Sequence, residues 1–454
     1  MQKTNYWVAK FGGTSVATFE AMTRCASLLK MYPQVKVVIV SAQAGVTNLL
    51  VKLCETSDSA IQTLNEINHK IQVILTALPN EKHPQLSQEI KILCDELKKL
   101  AEISHKNKQQ MDEILSYGER ISARLFTAAL TMQGLPAIHQ DARKLIKTNT
   151  HFGKAEVDIV ATKKAVTNIL LPLCTHHIVV SEGFIGSSNN QEESTTTLGR
   201  GGSDYSAALI AEAMEAEVLQ IWTDVSGIYT VDPNLVAHAK PIETMCFTEA
   251  AELATFGAKV LHPATLWPAI RKNIPVFVGS SMNVKAQGTW IRAELATDVN
   301  QPILRAIALR RKQSLLTINS LEMLYAHGFL AKIFTILARH ELSIDLVTTS
   351  EVSVALTLDH SHHDLLSEDV LAELKSIGNV SLKVDKDLCL IALVGSHLQH
   401  LSGMSGQVFH VLRPFNIRLI CYGASSHNLC FLTNENEADA VVRAIHAEFF
   451  EKQH

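Results

Sequence analysis

The 454-residue chain has no C-x-x-C pair, no excess charge of either sign and no uncharged apolar run of membrane-spanning length. It also lacks both common glycine-rich nucleotide fingerprints. Each absence excludes something. The eight cysteines (Cys25, Cys54, Cys94, Cys174, Cys246, Cys389, Cys421 and Cys430) are dispersed, several of them in apolar runs. A chain of this length needs no disulfide staples, so they read as buried thiols of a reducing, cytoplasmic compartment. Forty-one Lys and Arg stand against 45 Asp and Glu, a net charge of −4. A polyanion binder would carry a basic excess, so no nucleic-acid partner is expected. The stretch Met1–Trp7 lacks the apolar core of a signal peptide, and no run approaches the ~20 residues that span a bilayer, so no membrane partner is expected either. No G-x-x-x-x-G-K-[ST] loop occurs, and the dinucleotide pattern G-x-G-x-x-G fails because Asp204 stands at its last glycine.

What is present fits folded domains: 47% hydrophobic and 19% charged residues. At about 150 residues per domain, the length allows two to four. Trp7–Phe11 is a short apolar run broken by Gly12-Gly13. Helical spacing follows over 16–32, and Lys36–Val40 is a β-branched strand. Residues 55–133 turn almost wholly helical, with Ile90, Leu93, Cys94, Leu97 and Leu100 on one face. Further strands are expected at Ile178–Val180, Val218–Trp222 and Pro275–Val278. Strands alternating with helices predict a mostly parallel sheet covered on both faces. Beyond Asn300-Gln-Pro302 the chain contains a duplication. Offsetting residues 328–357 by 75 matches Gly328 with Gly403, Phe334 with Phe409, Leu337 with Leu412 and Ser350 with Ser425. Each copy reads strand, helix, strand, strand, with a further helix at 367–377 and 437–450. Two copies at so long a period are a domain duplication, not a solenoid.

Four segments carry chemistry. Lys10-Phe-Gly-Gly-Thr-Ser15 follows a strand and precedes a helix, so backbone N–H groups and one ammonium can meet an anion there. A tight turn with a surface lysine would have the same sequence. Thr195–Tyr205 packs three threonines, three glycines and Arg200 into a loop that is costly to order unless something fills it. Arg200 suits a carboxylate; Asp204 at the following helix start can cap that helix or serve as a charge. Trp222–Pro233 frames a polar and aromatic pocket fit for a nucleobase and ribose. Phe256-Gly-Ala-Lys259-Val-Leu-His262-Pro263 carries one lysine in an apolar stretch. Burying it is expensive without an anion, so Lys259 reads as a phosphate ligand.

Together with Ser41–Asn48 (S-A-x-A-G-V-T-N) and Ser116–Arg120 (S-Y-G-E-R), these segments resemble the aspartate kinases, over essentially the whole chain. The tail Gly328–Leu358 and the run C-Y-G-A-S-S-H-N-L-C-F-L are similar to the lysine-sensitive class. The resemblance implies an α/β chain. Residues 1–296 would form an amino-acid-kinase (carbamate-kinase-like) αβα sandwich, with an aspartate lobe and an ATP lobe. Two ferredoxin-like βαββα ACT units would follow at 303–387 and 388–454, the first inserted into the second, whose first strand falls near 303–311. It also implies phosphorylation of the side-chain carboxylate of L-aspartate by ATP, the first step of lysine, threonine and methionine biosynthesis, under feedback by L-lysine. Mg2+ would be carried on the ATP phosphates, and a homodimer or dimer of dimers would form through the ACT units.

The same resemblance distributes roles. Lys10 and Lys259 contact ATP phosphates, with Gly12, Gly13 and Ser15 along the phosphate path. Thr223, Asp224 and Tyr229 hold the nucleoside. Arg200 binds a carboxylate of aspartate, Glu119 suits its ammonium, and Ser41, Thr47, Gly201, Gly202 and Ser203 complete that site. Asp204 positions the reacting groups or steadies Lys10, which makes Lys10 and Asp204 the catalytic pair. Met323, Phe329, Leu330, Asp345, Ser350 and Glu351 contact the lysine effector between subunits. The chain departs from the family at Asn234, where relatives commonly carry arginine, and at Ala326, where close relatives carry serine. His176-His177 and the His360, His362, His363, Asp364 group lack an ordered ligand scaffold, so no metal site is expected of them. Two other readings stand beside this one: a glutamate or acetylglutamate kinase, and an amino-acid sensor without catalysis. The paired C-terminal repeats and the Phe256–Pro263 segment oppose the first; Lys10, Arg200, Asp204 and Lys259 oppose the second.

Overall fold

The computed structural model describes residues 5–55, 59–78, 84–199, 201–257, 261, 263–293, 304–359 and 367–452. Arg200, Lys259, His262 and the His360–Asp364 group lie outside the described residues. The chain separates into two compact units. One holds Met1–Ile228, Pro241–Phe247 and Lys259–Thr297; the other holds Tyr229–Lys240, Thr248–Ala258 and Asp298–His454. Two short segments within the expected 1–296 region are thus part of the second unit.

In the first unit the apolar, β-branched runs become the centre of an eight-stranded sheet. Its order is Ala137–His139, Ile178–Glu182, Val35–Val40, Trp7–Phe11, Val218–Thr223, Val276–Ser280, Thr289–Arg292, Thr244–Cys246. The first six are mutually parallel. The four central runs are buried nearly throughout, as strands covered on both faces must be. Register aligns their carboxyl ends: Phe11 pairs with Val40 and Trp222, Val40 with Glu182, and Thr223 with Ser280. Ligands of open α/β sheets bind outside such ends.

The stretch expected to be helical contains Val46–Glu55, Ala60–Ala77, Pro84–Ala101 and Lys108–Met132. They bury Leu50, Leu53, Ile67, Ile71, Ile74, Ile90 and Leu97 in one core with the sheet. The last helix opens on a capping box, in which Asn107 accepts from the Gln110 N–H and Gln110 accepts from the Asn107 N–H. A three-stranded sheet of Lys147–Thr148, Ile185–Ser188 and Thr195–Thr197 was not anticipated. Its strands are two to four residues long and rich in Ser and Thr, too short and polar to show a period.

The second unit contains a six-stranded antiparallel sheet ordered Ile344–Thr349, Ser353–Asp359, Leu304–Asn319, Ser381–Gly395, Asn428–Asn434, Ile417–Tyr422. The duplication is visible in it. Helices Phe329–Arg339 and Met404–Leu412 both start after a glycine in the left-handed region, Gly328 at φ 78° and Gly403 at φ 86°. The inner strands Ser353–Asp359 and Asn428–Asn434 keep the same offset of 75. The edge strands start at 344 and 417, an offset of 73, because the preceding helix has 11 residues in the first copy and 9 in the second, while the connections 340–343 and 413–416 are equally long. Ile333, Leu337, Val354 and Leu356 form one core, and their counterparts Val408, Leu412, Leu429 and Phe431 form another. Segment Tyr229–Lys240 contributes Val231 and Val236 to the latter core. The Lys240 ammonium donates to the Phe450 carbonyl at 2.6 Å, and His446 Nε2 lies 3.0 Å from Thr230 Oγ1.

Candidate active site

The strand ends of the first unit converge on a set of polar groups. Lys10 is the penultimate residue of Trp7–Phe11, with register partners Ile39 and Ile221. It is 8% exposed, so its ammonium needs an anion close by. That anion is Asp204, whose Oδ1 lies 2.5 Å from Lys10 Nζ. Asp204 lies in the first turn of helix Gly202–Met214 but makes no capping hydrogen bond; Gly201 is the N-cap. Of the two roles open to Asp204, the structure shows the charge partner. The following turn is tied to neighbouring strand ends. The Gly12 N–H donates to the Trp222 carbonyl at 3.1 Å, and the Ala44 N–H to the Gly13 carbonyl at 3.1 Å. Ser15 Oγ and Ser281 Oγ are 2.7 Å apart and buried. The Ser281 N–H donates to the Thr223 carbonyl at 2.9 Å, joining a third strand end to the loop.

Helix Lys108–Met132 carries S-Y-G-E-R beneath the Ser41–Asn48 turn. A Cβ on Gly118 would lie 2.7 Å from Ala42 Cβ, so only glycine lets that backbone come so close. The approach lets Glu119 Oε1 accept the Ala42 N–H at 3.0 Å. Glu119 is 4% exposed, and burial pushes its carboxyl from an ordinary 4.5 up to about 8. The Ala42 hydrogen bond and the Lys10 charge pull it back only in part, and the Glu182 charge adds to the rise. Tyr117 and Arg120 on either side are structural. The Tyr117 hydroxyl donates to Glu96 at 3.1 Å, and Arg120 binds Glu113 at 2.8 Å and stacks on the Tyr117 ring.

Gly201, Gly202 and Ser203 open the helix that carries Asp204. Ser203 sits against Gly183, just past strand Ile178–Glu182. Thr47 is exposed in the first turn of Val46–Glu55, and Ser41 follows Val40 directly. Thr223 Oγ1 donates to Asp224 Oδ1 at 3.0 Å at the next strand end. Lys10, Gly12, Gly13, Ser15, Ser41, Glu119, Gly201 to Asp204, Thr223 and Asp224 therefore stand at or beside aligned strand ends of one unit. Tyr229 belongs to the second unit. Asn234 is held in a turn, its N–H and amide both donating to Asp232 Oδ1.

Sequence reasoning missed three groups. Glu182 is fully buried at the end of Ile178–Glu182 and accepts the Ala142 N–H at 2.8 Å. His139 Nε2 is 2.7 Å from its other oxygen, and Arg124 approaches to 3.6 Å. Asp112 accepts from the Gly153 N–H, the Thr197 N–H and the Thr197 hydroxyl at 2.8–2.9 Å, anchoring the strand that runs into Gly199–Ser203. Ser281 is the third. The available signal was a polar residue closing an otherwise apolar strand for Glu182 and one just past such a strand for Ser281.

In the second unit, the residues expected to contact an effector divide. Phe329 is buried in the apolar core as the first residue of its helix, with Met323 packed at the edge of that core. Leu330, Ser350 and Glu351 are exposed. Ser350 Oγ lies 2.6 Å from Ser353 Oγ. Asp345 forms an ion pair with Arg310.

A parallel sheet with a lysine, a glycine turn and a helix start gathered at its strand ends, joined in one chain to a duplicated βαββα unit, defines a small-molecule kinase with a regulatory repeat. Residues 5–280 match the amino acid kinase family and residues 391–449 the ACT domain. The chain is 48% identical to the lysine-sensitive aspartokinase 3 of Escherichia coli, over 98% of this chain and 99% of that protein. It is 37% identical to the chloroplastic aspartokinase 1 of Arabidopsis thaliana, over 98% of this chain and 80% of that protein. The crystal structure of E. coli aspartokinase III in complex with aspartate and ADP superposes with a TM-score of 0.86 at 47% identity, and that in complex with lysine and aspartate with 0.82 at 48%. Each superposition covers 98% of this chain and 100% of the other. The chain belongs to the aspartokinase family.

Proposed function

We propose that this protein transfers the γ-phosphoryl group of ATP to the side-chain carboxylate of L-aspartate, giving ADP and 4-phospho-L-aspartate, and that L-lysine inhibits it through the ACT repeats. The observation that carries this reading is the near-full-length identity to a lysine-sensitive aspartokinase, which spans the kinase and ACT regions alike. The chemistry agrees. A carboxylate is already ionised at neutral pH and needs no general base, so catalysis reduces to placing it and neutralising charge on the migrating phosphoryl group. Lys10, held by Asp204, supplies a fixed cation beside the Gly12-Gly13 turn. Glu119 receives the substrate ammonium, which replaces the proton that burial keeps on it. Arg200 and Lys259 are assigned to the substrate carboxylate and an ATP phosphate by resemblance, as Tyr229 is to the nucleoside.

Mg2+ supplies further charge neutralisation when it rides on the ATP oxygens. Among the described residues no three His, Cys, Asp or Glu side chains converge as metal ligands. No helix of the described residues is long and apolar enough to cross a membrane; a cytoplasmic enzyme assembled as a homodimer or dimer of dimers through its ACT units completes the reading.

Asp345, Ser350 and Glu351 are the polar contacts proposed for lysine. Glu351→Ala should raise the lysine concentration for half-inhibition about tenfold or more, as loss of a charged partner does, with uninhibited turnover little changed. Wild-type inhibition should be sigmoidal, because a site shared by two subunits couples them. Unaltered inhibition in the variant would remove Glu351 from the effector site.

A further inference from the structure

Ser15 and Ser281 are each 2% exposed, and a buried hydroxyl is costly unless it is bonded. Their oxygens lie 2.7 Å apart. Which of them donates follows from a third group. Ser281 Oγ also donates to the Thr223 carbonyl, at 3.2 Å, and a hydroxyl has only one proton to give. Ser281 therefore accepts from Ser15, and the bonds run from Ser15 to Ser281 to Thr223. The Ser281 N–H donates to the same carbonyl at 2.9 Å, which fixes Ser281 over the end of strand Val218–Thr223. In the sheet that strand lies between Trp7–Phe11 and Val276–Ser280. The hydroxyl chain thus leaves the turn after Trp7–Phe11, crosses the middle strand end and finishes on the residue just past Val276–Ser280.

The turn is also fastened at its start. The Gly12 N–H donates to the Trp222 carbonyl at 3.1 Å, and the Ser15 N–H returns to the Gly12 carbonyl at 3.0 Å. Between these fastenings, the N–H groups of Gly13 and Thr14 have no acceptor among the described residues. A Cβ on Gly12 would lie 3.6 Å from Lys10 Nζ, so the ammonium stands against the same turn. Two successive N–H groups beside a fixed cation form a donor set for the oxygens of an anion. All of these groups belong to one compact unit. We propose that Ser281 is a positioning residue for the nucleotide: acting through Ser15, it pins the Gly12–Ser15 turn and keeps the Gly13 and Thr14 N–H groups in place for a phosphate. This rests on the ATP reading given above. Ser281 itself touches no substrate in this role; its effect passes through the Ser15 hydroxyl.

The test uses the full-length protein, with calorimetry of ADP binding in Mg2+ and steady-state kinetics on wild type, Ser281→Ala, Ser15→Ala and the double variant. Ser281→Ala leaves the Ser15 hydroxyl without its acceptor, so Kd for ADP and KM for ATP should each rise about five- to tenfold, as loss of one hydrogen bond does. KM for aspartate should stay within about twofold of wild type, a split that general loosening of the fold would not give. Ser15→Ala should weaken ADP to a similar extent. The double variant should bind ADP no more weakly than Ser15→Ala, because Ser281 acts through Ser15. Removing both hydroxyls together also leaves neither one stranded, so this comparison stands even where Ser281→Ala folds poorly. Unchanged ADP affinity in Ser281→Ala overturns the proposal. So does a double variant whose loss is the product of the two single losses, or an equal rise in both KM values. Failure of the ATP reading looks different: no ADP heat in wild type removes both.

Discussion

Replacing Lys10 by methionine should lower kcat by about two to three orders of magnitude, while the protein remains folded. The expectation follows from where the ammonium sits. Lys10 is 8% exposed and its only ion-pair partner among the described residues is Asp204, 2.5 Å away. An ammonium has three N–H donors, so the pair with Asp204 leaves others to give to a phosphate oxygen. In a site shielded from water, one such preorganised charge contributes about 3–4 kcal/mol at the transition state, or roughly 10²–10³ in rate. Methionine keeps the stem and removes the charge. Breaking the pair leaves the half-buried Asp204 carboxylate without its partner, which itself destabilises the fold by an amount on the order of 1–2 kcal/mol. Thermal unfolding should accordingly be recorded beside the kinetics, with Asp204→Asn added in the same chain to remove the stranded carboxylate. If the double variant regains stability and remains inactive, the loss is catalytic. Near-normal turnover in a folded Lys10→Met protein would end the phosphate role.

The second large effect runs in opposite directions for stability and activity. Glu119→Gln should raise KM for aspartate about a hundredfold and at the same time stabilise the free enzyme at pH 8.5. In the folded chain the buried Glu119 carboxyl holds its proton up to about pH 8, whereas in the unfolded chain it ionises near 4.5. Between those values the native state binds the extra proton. The contribution of this group to stability is therefore fully present below pH 4.5, declines as pH rises and levels off above about 8. The cost of ionising it in place is on the order of 5 kcal/mol. Glutamine retains an oxygen for the Ala42 N–H and removes that pH dependence. It also removes the anion that an ammonium would meet, which accounts for the loss of aspartate affinity. Urea melts of both proteins at pH 6 and 8.5, with aspartate saturation curves, measure the two effects. Parallel pH dependence of stability in wild type and variant would show that the folded-state Glu119 carboxyl is already ionised across this range.

Much of this site could be read from residues close together in sequence. Lys10 and Gly12-Gly13 follow an apolar strand, Asp204 opens an Ala-rich helix, and Glu119 stands inside S-Y-G-E-R. The duplication was equally legible, because both glycine starts and both inner strands keep one offset. The remainder depends on long-range pairing. Ser15 meets Ser281 across 266 positions and Asp112 meets Thr197 across 85, and no local pattern in either segment names its partner. The protonation of Glu119 was hidden for the same reason, since it comes from burial under Ala42 and from the nearby Glu182. Segments Tyr229–Lys240 and Thr248–Ala258 interrupt the kinase region in sequence but pack with the ACT repeats. Their apolar residues, Val231 and Val236 among them, carry no mark of which core receives them. Asp345 was recognisable as an acid apt for a cationic effector; its internal partner Arg310, 35 positions away, was not.

The most direct measurement traps the product. The purified protein is incubated with ATP, Mg2+, L-aspartate and hydroxylamine, which converts an acyl phosphate to a hydroxamate, with lysine added to a parallel sample. The account predicts hydroxamate that requires both ATP and aspartate, disappears as lysine is raised along a sigmoidal curve, and is not formed when glutamate or N-acetylglutamate replaces aspartate. Hydroxamate from glutamate but not aspartate, or none from any of the three, would contradict it.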